Sequence, residues 1–347
     1  MKKFIIFILC LLLTGCTTIV QEASLNLFDI KEAKEITNQY MNALSEGEIS
    51  TAESLCEDKL ISREEVAKLE NNKFVAYKIE EVNEGADYAY IKYVVIRGNN
   101  TDIRADLDSI EFKVSKKESE YKITEIEAKN LKQVYLEKEN LRIIDGLTGK
   151  SDLLLRKREL PREVYTKSSK VTLTMDTVPT VEFTKINTGF QGRYVGITLE
   201  NGDKILVVLS VIGEVDDSLN LSGSSVTSEN SDIEEILEKP LAQKIVGCDL
   251  IDAEKTEKIL FTENDEILVV QVKKKGEGST IRIYKNSSGE FINLGIDDKF
   301  PSDKYSIDIK KITAGEIHIE VIPLNSDVKD GGKYIINIEK MDIYKDE

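Results

Sequence analysis

The chain has 347 residues and a mass of 39.1 kDa, which is enough for two domains with sizeable cores. Its 63 acidic and 47 basic residues give a formal net charge of −16, which argues against a broad binding surface for nucleic acid or anionic headgroups. One histidine and no tryptophan are present. The usual proton shuttle and metal ligand is therefore missing from almost every catalytic site that could be suggested.

The N-terminus has the pattern of an export signal. Two lysines precede an apolar run from Phe4 to Leu13, which is too short to span a bilayer as a helix. The tetrad Leu13-Thr14-Gly15-Cys16 resembles the signal box of bacterial lipoproteins, and the residue usage is similar to that of Firmicutes. This resemblance implies that residues 1–15 are a removed signal peptide and that Cys16 is lipidated. It also implies that the chain is lipid-anchored at the extracytoplasmic face of the cell membrane.

Two further cysteines, Cys56 and Cys248, would remain in the mature chain. They are too far apart in sequence to form a metal motif or a disulfide framework. A bridge between the two halves of the chain and a pair of buried apolar thiols are both open at this point.

Residues 16–29 are expected to be a tether, and the segment 30–130 an α+β domain. Apolar residues at three- and four-residue spacing predict a helix from Ile30 to Gly47, and shorter helices are predicted at 51–55 and 62–69. Four segments rich in β-branched and aromatic residues then predict an antiparallel meander. They are Phe74–Val82, Tyr88–Arg97, Ile103–Val114 and Tyr121–Ala128.

The first helix contains Tyr40-Met41-Asn42-Ala43-Leu44, followed by Gly47-Glu48 and an alanine-bearing helix at Ala52. This order is similar to the cone-shaped nuclear transport factor two superfamily. The resemblance implies a curved antiparallel sheet that wraps around helices and leaves a cavity. Some members of the superfamily, such as ketosteroid isomerases, are enzymes, and many secreted bacterial members are not known to be.

Tyr77, Tyr88 and Tyr90 are candidate ligand-binding residues for such a cavity, and Tyr93 and Asp87 complete the set. A phenol donor and a carboxylate base are the pair needed to abstract a proton beside a carbonyl. Because Tyr88 and Tyr90 lie on one face of their strand and Tyr93 on the other, only part of the set can line one cavity. Tyrosines on a meander more often pack in the core than line a site, and no catalytic residue is assigned.

After a predicted connector at 131–165, residues 166–347 read as short strands, with a polar insertion at 213–235. Residues 258–294 resemble one blade of a WD-repeat-like propeller, and residues 181–212 resemble a looser copy. The length suffices for three to four blades, so an open set of blade-like sheets or a β-sandwich fits as well as a closed propeller. The predicted fold class is therefore α+β, with an all-β second half.

The sequence favours binding over catalysis. Residues 276–280 lack the lysine of a phosphate-binding loop, and a serine triad would depend on His318, which alternates with buried-type residues and is predicted to face solvent. No metal, cofactor or nucleic-acid partner is predicted. We expect a non-catalytic binding or scaffolding module at the cell envelope, attached through Cys16, with an envelope protein or a small ligand as partner. A ligand-binding sensor that uses the cone cavity is the alternative, followed by an isomerase-like enzyme.

Overall fold

The computed structural model describes residues 28–57, 73–99, 102–117, 120–165, 175–213 and 238–346. The predicted signal peptide, Cys16, the predicted helix at 62–69 and nearly all of the predicted insertion at 213–235 lie outside these residues. Within the described ranges, no helix combines the length and the apolar character that a membrane crossing requires.

Two helices open the described chain, as the spacing of apolar residues predicts. Helix α1 spans Ile30–Glu46 and α2 spans Ile49–Ser54. The Asp29 carboxylate accepts a hydrogen bond of 2.8 Å from the backbone N–H of Lys31 and so caps the start of α1. Gly47 ends α1 with φ +79°, a conformation that glycine adopts without a steric penalty.

A six-stranded antiparallel meander, here called sheet I, follows the helices. Its strands pair in chain order: β1 Lys73–Glu84, β2 Tyr88–Asn99, β3 Arg104–Lys117, β4 Glu120–Glu137, β5 Asn140–Asp145 and β6 Ser151–Arg156. Strand β4 crosses residue 130, where the first domain was expected to end, and β5 and β6 lie inside the segment predicted as a connector. The interpretation of 131–165 as a connector is corrected, because most of the segment extends sheet I. Its polar residues interrupt the alternation of apolar residues by which a strand is predicted.

Three smaller antiparallel sheets form the second half of the chain. Sheet II contains β9 Glu182–Thr188, β10 Tyr194–Glu200, β11 Lys204–Ile212 and β12 Ala242–Asp252. Sheet III contains β13 Lys255–Phe261, β14 Ile267–Lys273 and β15 Ser279–Lys285, and sheet IV contains β16 Tyr305–Ile312, β17 Glu316–Pro323, β18 Gly332–Asn337 and β19 Asp342–Lys345. A 3₁₀ turn at Lys157–Glu159, the two-stranded ribbon of β7 Glu163–Tyr165 and β8 Met175–Thr177, and helix α3 at Ile296–Lys299 complete the described elements.

The sheets stack in chain order, and an apolar cluster fills each space between neighbours. The helices and sheet I enclose Tyr40, Met41, Tyr93 and Phe112. Sheets I and II share a cluster that includes Val134, Leu154, Phe183 and Ile197, sheets II and III share one that includes Val207, Phe261 and Val270, and sheets III and IV share one that includes Val269, Ile283 and Ile319. The two predicted halves therefore have a common core at the junction of sheets I and II.

The burial pattern of each strand follows from its place in the stack. All residues from Ile267 to Val272 in β14 are buried because sheet III is covered on both faces, and all of them except Gln271 are apolar. Strands β16 and β17 alternate between buried and more exposed residues because only one face of sheet IV is covered. On the other face Lys310 bridges Asp308 and Glu320, at 2.8 Å from each. The stack thus ends in a polar face, and the β half is an open series of sheets, as one of the sequence alternatives has it.

Phe190, in the β9–β10 turn, fastens sheet II to sheet I. Its side chain is 5% exposed and packs with Val94, Ile96 and Leu107 of sheet I. The turn is also held from sheet III, because the Asp265 carboxylate accepts hydrogen bonds of 2.7 Å from the N–H groups of Phe190 and Gln191. Three layers therefore meet at this one turn.

The chain on either side of the insertion is anchored as well. The backbone N–H of Gly213 donates a hydrogen bond of 3.1 Å to the carbonyl of Leu241. The Arg142 guanidinium of sheet I makes two hydrogen bonds, of 2.9 and 3.1 Å, to the carboxylate of Glu238. The points where the chain leaves and re-enters the described structure are therefore close together.

Candidate functional site

The N-terminal, cone-like half, which consists of α1, α2 and sheet I, places two of its tyrosines between sheet I and helix α1. Tyr93 is fully buried, and its hydroxyl donates to Oδ1 of Asn38 at 2.8 Å and lies 2.9 Å from Oγ1 of Thr37. The Tyr77 hydroxyl donates to Oδ1 of Asn42, and the two tyrosine rings are 6.1 Å apart. Burial raises the pKa of both phenols, so they remain neutral donors at neutral pH. These hydroxyls bind helix α1 to the sheet.

Tyr88 and Tyr90 lie on the opposite face of β2 from Tyr93, as the alternation of side chains requires. Their rings are 5.5 Å apart, and the Lys113 ammonium lies 5.7 and 5.8 Å from the two ring centroids. Asp87 is exposed in the β1–β2 turn. The predicted set is therefore divided: Tyr77 and Tyr93 face the helices, whereas Tyr88 and Tyr90 face outward.

A buried ion-pair cluster on the helix-facing side of sheet I was missed by sequence reasoning. Asp106 is fully buried and lies 2.9 Å from Nε of Arg104, and Asp108 lies 2.5 Å from Nε of Arg97. Asn130 donates a further hydrogen bond of 2.9 Å to Asp108. The signal in the sequence was a pair of aspartates at alternate positions of β3, on the face that continues with Ile110, Phe112 and Val114. Because each carboxylate is paired with a guanidinium, the cluster holds β2, β3 and β4 together.

The cysteines and the histidine occupy the positions expected of structural residues. Cys56 and Cys248 are both free and buried, and burial raises the pKa of Cys56 to about 11. His318 lies between the buried residues Ile317 and Ile319 and points away from them, with 30% of its side chain exposed. The prediction that His318 faces away from the core is confirmed.

The β half contains a cleft of about 310 Å³ between sheets II and III. Its walls are the end of β12 at residues 249–252, the strand β15, and the segment 291–298 that leads into α3. The start of this segment lies alongside β15, because the N–H of Ile292 donates a hydrogen bond of 2.8 Å to the carbonyl of Ile283. The Asn293 side chain then accepts a hydrogen bond of 3.0 Å from the N–H of Gly295, whose positive φ of 67° turns the chain into α3.

Charged and polar side chains of the cleft are held in place by one another. Nη2 of Arg282 lies 2.7 Å from Oδ2 of Asp297, and the Thr280 hydroxyl donates to Oδ1 of the same carboxylate at 2.8 Å. Burial acts to raise the pKa of Asp297, but the hydrogen bond and charge of Arg282 outweigh it and leave that pKa below its usual value. Asp249, in the wall formed by β12, accepts a hydrogen bond of 3.0 Å from the hydroxyl of Tyr284, a fully buried residue of β15. The side chains of Arg282, Asp297 and Asp249 are therefore held by protein contacts before any ligand arrives.

The chemistry of this lining suits binding. Phe291 and Leu294 supply apolar surface beside four aspartates and two basic side chains, Lys274 and Arg282. No histidine, cysteine or serine is found among the residues that line the cleft in the described structure. In the same described ranges, no three histidine, cysteine, aspartate or glutamate side chains are grouped so that they could hold a metal ion.

No protein-family model matches the sequence, and no curated protein matches it. Solved structures similar to the chain include a ketosteroid isomerase-like protein from Erwinia carotovora atroseptica, with 16% identity over 30% of this chain and 98% of that chain and a TM-score of 0.26. TolB from Acinetobacter baumannii has 8% identity, covers 74% of this chain and 81% of its own, and has a TM-score of 0.20. A puromycin hydrolase has 6% identity and a TM-score of 0.30. The match covers 77% of this chain and 46%, less than half, of that structure. The α+β fold class is confirmed by the strand pairing described above.

Proposed function

We propose that this protein is a non-catalytic binding module held at the extracytoplasmic face of the cell membrane by a lipid on Cys16. The observation that supports binding is the cleft between sheets II and III, which is concave, of about 310 Å³, and lined by polar groups already fixed by Arg282–Asp297 and Tyr284–Asp249 contacts. Small-molecule sites have this composition, with an apolar wall and a few oriented polar groups. The site that the sequence indicated, in the cone-like half, contributes Tyr77 and Tyr93 to helix packing instead.

Membrane attachment is tested by Cys16→Ser in the full-length chain. The protein carries an excess of acidic residues, so attraction to anionic lipid cannot replace the acyl chains. We expect the wild type in the membrane fraction and the variant in the soluble extracytoplasmic fraction, with metabolic labelling by a fatty acid lost in the variant. Labelling that persists in the variant would refute lipidation at Cys16.

Binding is tested by thermal unfolding of the chain from residue 22, against a panel of small molecules that includes sugars, amines, carboxylates and divalent ions. A ligand at a hundred times its dissociation constant adds about 2.7 kcal/mol to the free energy of unfolding. That increment raises the melting temperature by roughly 5 °C in a chain of this size.

A substitution that obstructs the cleft shows where the ligand binds. Asn293 is exposed in the cleft wall, so Asn293→Trp should block the cleft and abolish the shift. Asn325 is exposed in a turn outside the cleft, and Asn325→Trp is the matched control that should retain the shift. A turnover of any bound compound that a cleft substitution abolishes would refute the non-catalytic assignment. A shift equally strong in both variants would place the binding site elsewhere.

A further inference from the structure

We infer that the cleft between sheets II and III binds a neutral, polyhydroxylated ligand about the size of a single six-carbon sugar. The inference rests on the proposed function, because it gives the chemistry of the ligand for the same cleft. Three properties of the cleft carry it: its volume, the pairing of its charges and its apolar wall.

The volume of the cleft, about 310 Å³, accommodates a monosaccharide. Clefts of this size lie at the small end of ligand sites in proteins.

Two of the four aspartates in the lining are paired with basic side chains of the protein. Arg282 is paired with Asp297 at 2.7 Å, and Asp252 is paired with Lys204 at 2.6 Å. Neither pair requires a charged ligand for its own balance. An anionic ligand would approach four aspartates and only two basic side chains, which opposes its binding.

Paired groups still have hydrogen-bonding capacity to offer. An ionised carboxylate has about four acceptor positions, and the Arg282 guanidinium and the Thr280 hydroxyl occupy two of those of Asp297. A hydroxyl group both donates and accepts, so neighbouring hydroxyls of one ligand can satisfy carboxylate oxygens and N–H groups together. A purely apolar ligand would displace water from these groups without replacing its hydrogen bonds.

One wall suits the carbon face of a sugar ring. The Phe291 ring and Leu294 line the cleft, and the Arg282 guanidinium lies 5.8 Å from the centroid of the Phe291 ring. Contact with an aromatic side chain on one side and hydrogen bonds on the other is a combination that a polyol can use and that a small inorganic ion cannot.

The test compares ligands that differ in charge at nearly constant shape. The chain from residue 22 is titrated calorimetrically with neutral hexoses (glucose, galactose, mannose), with glucosamine and with glucuronate, each up to about 100 mM because monosaccharide affinities are often millimolar. We expect at least one neutral hexose to bind and glucuronate to bind at least tenfold more weakly. Tenfold tighter binding of glucosamine than of glucose would overturn the inference in favour of a cation site. Failure of every neutral hexose would overturn it as well.

Two substitutions connect the result to the cleft. Asp298 is exposed at its edge, and Asp298→Ala should weaken hexose binding by about fivefold, the effect of one lost hydrogen bond. Asp327→Ala, in an exposed turn elsewhere, should leave it unchanged. Equal affinities in both variants would place the sugar outside the cleft and refute the inference. If no sugar binds but another compound of the panel does so in a manner that Asn293→Trp abolishes, the ligand class is wrong and the binding module stands.

Discussion

Truncation of Phe190 is the sharpest test of the common core. The side chain is 5% exposed and inserts among Val94, Ile96 and Leu107, which are themselves at most 2% exposed. Phe→Ala in such an environment costs about 3–5 kcal/mol, because buried apolar surface is lost and a cavity remains. For a chain of this length each kcal/mol lowers the melting temperature by about 2 °C, so we expect a decrease of roughly 6–10 °C.

The assay for Phe190→Ala is urea denaturation combined with native-state hydrogen exchange. Because sheets I and II share one core, we expect faster exchange in peptides from β2 and β3 as well as in those from β9 and β10. Phe300→Ala is the matched control: Phe300 is 2% exposed in the core between sheets III and IV, and its truncation should destabilise without opening sheet I. A loss below about 1 kcal/mol, or exchange changes confined to sheet II, would refute the shared core.

Three further predictions follow from residues near the junctions. Burial, partly offset by the two backbone hydrogen bonds from residues 190 and 191, raises the pKa of Asp265, so its carboxylate opposes folding when ionised. The stability of the wild type relative to Asp265→Asn should therefore fall as the pH rises above about 4, measured by urea denaturation across pH 3.5–7; a constant difference would contradict the shift. Replacement of residues 214–237 by a short Gly-Ser linker should leave the melting temperature within about 2 °C of wild type, because a hydrogen bond between Gly213 and Leu241 already joins the two flanks. A cooperative loss of structure in the shortened protein would show that the segment is required. Because both thiols are buried, Cys56 and Cys248 should not be alkylated by iodoacetamide at pH 8 in the folded protein and should react fully in urea. Intact-mass spectrometry measures the labelling. Rapid labelling of the folded protein would contradict their burial.

The strands that are buried on both faces could be predicted closely from the sequence. Strand β11, Lys204–Ile212, lies in the stretch 181–212 that was predicted to be blade-like, because a continuous apolar run follows the polar turn Asn201-Gly202-Asp203. The end of β4 was missed, because Lys129, Asn130 and Lys132 interrupt the apolar alternation that marks a strand. In the structure, Lys132 is used to hold the β9–β10 turn through a hydrogen bond of 2.9 Å to the carbonyl of Gly192, a tertiary contact that no local pattern indicates.

The candidate site shows a similar division. Alternation along β2 was sufficient to predict that Tyr88 and Tyr90 face away from Tyr93. The cleft could not be predicted, because its lining comes from segments around residues 250, 282 and 295 that are joined only by the packing of sheet II on sheet III. A motif search sees each segment separately, and none of them alone resembles a binding site.

The stacking order has a consequence for how the chain reaches its fold. Every sheet is a meander of strands that are neighbours in sequence, and each sheet packs mainly on the one before it. Contacts that join such short stretches of chain require little loop-closure entropy, which favours rapid folding of each sheet. A chain that emerges with its N-terminus first can therefore complete the helices and sheet I before sheet II has left the ribosome. Each later sheet then condenses on a surface that is already formed, and the polar outer face of sheet IV closes the series.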